Sequence, residues 1–251
     1  MTSFLNAVAT LKDSCKDQRC FILGNGPSIK QHDLTWIRQE HTFVVNLFTL
    51  HPEFLNFKNC YYCLGDSRFY QNQKLLPEIT QSLSHHLTVN SFFEERARPA
   101  VTHETCLDSE RLFFVEIDHA QKCWEGMFHA DLSRKLCWGY SVVIDQCLPL
   151  AIYMGFNPIY LLGCDCDYNL NPAKPDFTNS FFYNPKTVSG EYLTSLYHSS
   201  QVPDEFNLSG KIIDSYQVVK RYCDTHSIHI FNAGAGGKLN VFERVAYPTL
   251  F

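Results

Sequence analysis

The stretch CFILGNGPSIKQHDL, Cys20 to Leu34, decides how the rest of the chain is read. Cys20 to Leu23 is a short apolar run with the look of a buried β-strand. It passes into a tight turn with Gly24 and Gly26 on either side of Asn25, and Pro27 and Ser28 are suited to open a helical turn. Glycine permits backbone angles closed to other residues and lets a ligand approach the main chain. A strand entering such a turn is where α/β proteins seat nucleotide phosphates. The segment matches neither familiar phosphate loop: it has no Gly-x-Gly-x-x-Gly, and no Lys-Ser/Thr pair closes a Walker-type loop. On these residues alone, a plain strand-to-helix turn and a nucleotide-binding turn stand level.

Outward from this turn the pattern repeats. Thr42–Leu47 (TFVVNL) and Asn59–Leu64 read as a second and third strand, the latter followed by Gly65-Asp66. A helix is expected within Gln71–Ser84, a strand at His86–Val89 and another at Leu112–Ile117. Ser141 is placed to cap a helix running to Met154, with Pro149 as a kink and Gly155 as its stop. Pro158–Leu162 is a further strand. Lys211–Asp224 reads as a helix with Ile212, Tyr216, Val219 and Cys223 on one apolar stripe, and Ile228–Phe231 as the last strand. A short amphipathic helix is expected over residues 4–12. Strands alternating with helices predict an open, mainly parallel α/β sheet with helices on both faces. The chain length fits a single domain over residues 1–251, with the polar, aromatic, proline-punctuated segment 164–208 as a lid.

Composition narrows the function. Net charge −5 and pI of about 6.1 argue against general nucleic-acid binding. No apolar run approaches the roughly 20 residues that span a bilayer. The first residues show no basic region ahead of an apolar core, so the expectation is a cytoplasmic protein, with peripheral attachment at the inner face of a membrane left open, as is homo-oligomerisation. The cysteines are expected to be reduced and mostly buried. Cys60 and Cys63 mimic half a zinc site, but strand alternation sends residues three apart to opposite faces.

In parallel α/β sheets, ligands sit beyond the carboxyl ends of the strands. Asn25, Asn46, Asp66, Asp165 and Asn232 all fall at such ends. Asparagine offers both donor and acceptor to base edges and sugar hydroxyls, while Asp66 suits a ribose hydroxyl or a cation. Asp165 and Asp167 form an Asp-x-Asp that could bridge a divalent ion to a diphosphate. The expected lid carries Tyr168, Tyr183, Tyr192 and Tyr197, whose hydroxyls can hold a leaving phosphate, and His198, which can take a proton from an acceptor hydroxyl. By itself His198 reads first as a solvated loop histidine. AGAGGK, residues 233–238, lacks the Ser or Thr of a Walker loop and reads as a flexible loop near the site.

Taken in order, GNGPSI (24–29), FVVNLF (43–48), YYCLGDSRFY (61–70), GYSVVIDQCLPLAIYMGFNPIYLLGCDCDY (139–168) and IHIFNAGAGGKLNVFERVAY (228–247) resemble a sialyltransferase-related superfamily. It includes bacterial lipooligosaccharide sialyltransferases and proteins grouped with the archaeal 6-hydroxymethylpterin diphosphokinase. The resemblance implies a Rossmann-like domain with a lid, and a glycosyltransferase moving an acidic sugar, sialic acid or a related nonulosonate or Kdo type, from a CMP-sugar donor to a surface glycan hydroxyl, as in lipopolysaccharide biosynthesis. It implies donor contacts from Gly24, Asn25, Gly26, Ser28 and Asn46, a general base at His198, and phosphate contacts from Tyr183, Tyr192 and Tyr197, with no obligatory metal. Three features depart from the sialyltransferase pattern. Asp66 stands where asparagine is usual, Gly139 and Ser141 match the Ser-Gly element loosely, and Asp167 stands where a phosphate-binding tyrosine is expected, with Tyr168 one residue later. The alternative that the resemblance carries is a magnesium-dependent diphosphokinase using ATP on a 6-hydroxymethylpterin, with Asp66, Asp165 and Asp167 as candidate ligands. A non-catalytic glycan- or nucleotide-binding member is the third.

Overall fold

The computed structural model describes residues 8–103, 106–167, 180–184 and 208–251. Its centre is an eight-stranded sheet in which every pairing is parallel. The strands are β1 (Cys20–Leu23), β2 (His41–Val45), β3 (Asn59–Leu64), β4 (Asn90–Glu94), β5 (Leu112–Val115), β8 (Ile159–Leu162), β9 (Ile230–Asn232) and β10 (Glu243–Arg244). They lie in the order β10-β9-β8-β1-β2-β3-β4-β5. Two further strands, β6 (Ile117–Lys122) and β7 (Leu136–Trp138), pair with each other in a separate small sheet.

The strand order positions the site. From β1 the chain adds β2 to β5 outward on one side, then returns to lay β8 on the other side of β1. The connections leaving β1 and β8 therefore diverge from a common crevice, the topological switch point where open α/β sheets bind ligands. The mainly parallel α/β reading of the sequence agrees with this architecture.

The sheet is buried on both faces, which is why its strands read as near-continuous apolar runs. On one face Ile22, Phe43, Tyr61, Cys63, Phe92 and Phe113 share a core with residues of α4 (Leu148–Tyr153) and α5 (Leu208–Thr225). On the other, Phe21, Val44, Cys60, Tyr62, Phe93 and Phe114 pack with Leu75, Leu76, Ile79 and Leu83 of α2 (Leu75–Ser84). Cys60 and Cys63 thus belong to opposite cores, as strand alternation requires. The α5 stripe Ile212, Tyr216, Val219 and Cys223 is buried. Each such apolar side chain contributes about 1.5–3 kcal/mol relative to exposure. Short helices α1 (Ser67–Tyr70) and α3 (Arg98–Val101) follow β3 and β4.

The helix expected from Ser141 is present with one internal change. Val143–Cys147 forms a π-turn in which the Leu148 N–H donates to Val143 O, and α4 follows directly. Pro149 has no N–H and its ring would crowd the carbonyl four residues back, so a widened turn ahead of it lets the helix continue. Gly155, at φ +85°, ends α4: its N–H reaches Ile152 O and that of Phe156 reaches Ala151 O.

Several boundaries differ from expectation. The strand expected at His86–Val89 is a turn, closed by the Val89 N–H on His86 O, and the strand is Asn90–Glu94. β2 stops at Val45 because Asn46 turns left-handed at φ +49°. The run at Leu112–Ile117 divides between β5 and β6. β10 gave no signal, being two exposed residues. Of the helix expected over residues 4–12, the described part holds helix only at Val8 and Ala9.

Candidate nucleotide site at the switch point

The turns leaving β1 and β8 are locked together. Gly24 N–H donates to Leu162 O and Gly26 N–H to Gly163 O, each at 2.8 Å. Asp165 accepts from the Ser28 N–H at 2.9 Å and from the Ser28 hydroxyl. Only glycine allows so close a fit: a Cβ at Gly26 would stand 2.5 Å from Asp165 Oδ2, and one at Gly24 would overlap the carbonyl oxygen of Gly163. The glycines that suggested a close ligand approach thus bring two protein turns into contact. The N–H groups of Gly24, Gly26 and Ser28 are already engaged within the protein, so the turn has little main chain to offer a phosphate.

The groups left for a ligand are side-chain amides. Asn25 is buried; its Nδ2 donates to Val45 O at 3.2 Å, while its Oδ1 has no protein partner. Asn46, one strand over, also buries an Oδ1 without a partner, and the Tyr62 hydroxyl holds its carbonyl at 2.9 Å. An asparagine tolerates the left-handed angle that Asn46 adopts better than most residues. A buried acceptor left unpaired costs about 1–3 kcal/mol. Two such oxygens stand at the ends of adjacent strands beside the switch point.

A third amide went unnoticed in the sequence. Gln146, in the π-turn, is fully buried with both amide atoms unpartnered, and a Cβ on Gly65 would meet its Nε2 at 2.8 Å. It therefore lies at the end of β3. Its neighbour Asp145 is buried and accepts from the Gly139 N–H at 2.6 Å. Burial pushes that carboxyl well above the usual range, opposed by the Gly139 hydrogen bond. The only sequence clue to either residue was a polar pair inside an otherwise apolar helix.

Other expected residues have other surroundings. Asp66 accepts from the Arg68 N–H at 3.0 Å, capping α1, and pairs with the Arg68 guanidinium at 2.6 Å. Ser141 is half-buried, and its carbonyl accepts from the Ile144 and Asp145 N–H groups at 2.8 Å. Asp167 pairs with Lys238. Asn232 braces its own loop, donating to Leu239 O and accepting from the Gly234 N–H. Residues 180–184 return to the rim: the Phe182 N–H donates to Asn25 O at 2.8 Å, which brings the neighbouring Tyr183, itself buried, to the switch point. Tyr168, Tyr192, Tyr197 and His198 lie outside the described residues, as does most of the expected lid.

The AGAGGK loop closes over the same crevice. Lys238 N–H donates to Asp165 O at 2.6 Å, and Ala235 N–H to Nε2 of His32 at 3.1 Å. Arg244 draws its carbonyls together from outside, reaching those of Gly234, Gly236 and Gly237. His32 is held below the usual histidine range by burial, partly offset by the charge on Asp165. Its ring can therefore accept the Ala235 N–H as a neutral imidazole. The loop is an internal brace. Among the described residues no three His, Cys, Asp or Glu side chains converge as a metal site, and no helix is long and apolar enough to cross a membrane.

No protein-family model matches the chain, and no curated protein does. Among solved structures the fold matches that of the sialyltransferase CstII from Campylobacter jejuni in complex with a substrate analogue, cytidine-5'-monophosphate. The TM-score is 0.52 at 16% sequence identity, covering 92% of this chain and 86% of that one. The chain therefore shares its α/β fold with a sialyltransferase.

Proposed function

We propose that the protein is a glycosyltransferase of sialyltransferase-like type that takes a CMP-sugar at the carboxyl ends of β1 and β2, beside the switch point. The observation that carries this reading is the pair of buried, unpartnered amide oxygens of Asn25 and Asn46. Cytosine presents an exocyclic amine and ribose presents hydroxyls, the donors such oxygens need. The shared fold with a structure holding cytidine-5'-monophosphate supports the same donor class.

In this reading the donor sugar is acidic, sialic acid or a related nonulosonate or Kdo type, and the acceptor is a surface glycan hydroxyl. The acceptor oxygen forms a bond to the anomeric carbon as the bond to phosphate oxygen breaks, and CMP leaves with the electron pair. His198 takes the acceptor proton. Hydroxyls of Tyr183, Tyr192 and Tyr197 donate to the departing phosphate, so the step has no obligatory metal. The protein works in the cytoplasm at the inner face of a membrane. The diphosphokinase alternative needs Asp66, Asp165 and Asp167 as magnesium ligands, yet these carboxylates are engaged by Arg68, Ser28 and Lys238 respectively.

The test is CMP release from CMP-N-acetylneuraminate and from CMP-Kdo in the presence of oligosaccharide acceptors. The wild type turns over one donor, whereas His198→Ala loses transfer and still binds it. Undiminished turnover by His198→Ala would remove the assigned base. Magnesium-dependent consumption of ATP with 6-hydroxymethylpterin, without action on either CMP-sugar, would overturn the reading.

A further inference from the structure

A second group of functional side chains gathers farther along the same rim, within the part of the chain that the sequence left hardest to read. Glu94 ends β4 and is only 1% exposed. Its carboxylate accepts from the Tyr70 hydroxyl at 3.2 Å, lies 2.8 Å from Nε2 of His119, and pairs with the Arg96 guanidinium. Arg96 also reaches the Nε2 edge of His119. Glu94 and Arg96 both meet the half-buried imidazole at Nε2, which fixes the orientation of the ring.

Beside His119 stands an aromatic platform. Trp138 lies 5.2 Å from the imidazole, Tyr140 4.1 Å from Trp138, and Trp124 stacks on Tyr140 at 4.9 Å. All three rings belong to partly exposed residues. Lys122 Nζ sits 4.1 Å from the Trp138 ring centre and Lys211 Nζ 5.4 Å from that of Tyr140. Tyr140 holds a left-handed φ of +62°, a costly angle for a bulky residue. That turn is pinned by the Gly139 N–H on Asp145, whose neighbour Gln146 faces the end of β3. The platform is thus continuous with the amide-lined rim.

Partly exposed indole and phenol rings, with an oriented imidazole beside them and lysine ammonium groups over Trp138 and Tyr140, match the two-sided chemistry of a pyranose, which has an apolar C–H face and a hydroxyl edge. We propose that Trp124, Trp138 and Tyr140, together with the Glu94–His119–Arg96 group, form a saccharide-binding site that receives the acceptor glycan. Its designation as the acceptor site rests on the glycosyltransferase reading; saccharide binding as such does not.

Tryptophan fluorescence gives the test. The chain has three tryptophans, and the third, Trp36, packs elsewhere against Tyr247 and Phe251. In a Trp36→Phe background the signal comes from the platform alone. Titration with lactose and with sialyllactose should give a saturable change for at least one of them. Trp138→Ala and His119→Ala should each weaken that binding about tenfold or more. Binding to Trp138→Ala is read by saturation-transfer NMR, and His119→Ala is the safer variant if loss of the indole unfolds the protein. Stabilisation by CMP is measured on the same samples and should be unchanged in both variants. No saturable response to either saccharide, or full affinity in His119→Ala, overturns the proposal. Saccharide binding without any CMP stabilisation upholds this site and sinks the donor reading instead.

Discussion

Asp165 offers the sharpest test of how the switch point is built, because the structure gives it a different task from the one its place in an Asp-x-Asp suggests. Its carboxylate is buried and accepts both the N–H and the hydroxyl of Ser28. Hydrogen bonds to a charged group contribute about 1.5–3 kcal/mol each, and Asp165→Ala leaves both Ser28 donors unpaired. Part of that loss is offset because a buried charge is no longer desolvated, which leaves about 3 kcal/mol. For a chain of this size that corresponds to a fall of roughly 6–12 °C in Tm. Ser28→Ala removes only the hydroxyl bond and should cost about 1–2 kcal/mol. The double variant should fall short of the sum by about 1 kcal/mol, since the two changes remove a shared bond. The assay is urea unfolding of all four proteins, followed by circular dichroism. A carboxylate serving chiefly as a ligand would leave Asp165→Ala within about 0.5 kcal/mol of wild type. That result, or strict additivity, would refute the lock.

Other perturbations separate binding from folding. Asn25→Ala removes one orphaned acceptor and should weaken CMP binding about tenfold, as measured by calorimetry, because a single lost hydrogen bond is worth about 1–1.5 kcal/mol. Asn46→Gly keeps the left-handed turn and loses the amide, so it should bind CMP as weakly as Asn46→Ala while melting higher. Asp145→Asn tests the buried carboxyl. Its folded pKa is raised, so in the wild type stability present near pH 4 is lost as pH rises toward the folded value, at up to about 1.4 kcal/mol per pH unit. The Asn variant keeps an oxygen for the Gly139 N–H and lacks that slope. Its Tm should match wild type at pH 4 and exceed it at pH 7.5; parallel melting curves across that range would contradict the assignment.

Much of this architecture is legible in the sequence because parallel strands buried on both faces leave unbroken apolar runs. Cys20–Leu23 and Asn59–Leu64 were read to the residue for that reason. The stripe on α5 is plain because helical spacing repeats over about three turns. What escaped reading depends on contacts distant in sequence. That Gly24 and Gly26 face Gly163 and Asp165 is a consequence of β8 lying beside β1, and no local pattern encodes it. The same holds for Gln146, whose significance comes from being sealed against Gly65. Glu94, His119 and Trp138 come together only once β4 and the small β6–β7 sheet are in place. Within 91–136 apolar runs are short and charges frequent, so periodicity carried little there. Conversely, Asp66 and Asn232 stood out as polar strand ends, yet their side chains serve the local turns, the ordinary role of Asp and Asn there.

The central claim is that the rim at the carboxyl ends of β1 and β2, beside the switch point, binds a cytidine nucleotide. Thermal-shift measurements with CMP, UMP, GMP, AMP and ATP, each with and without magnesium, test it most directly. Stabilisation confined to CMP, unchanged by magnesium and diminished in Asn25→Ala and Asn46→Gly, is the predicted result. Stabilisation by ATP that requires magnesium, with no response to CMP, would contradict it.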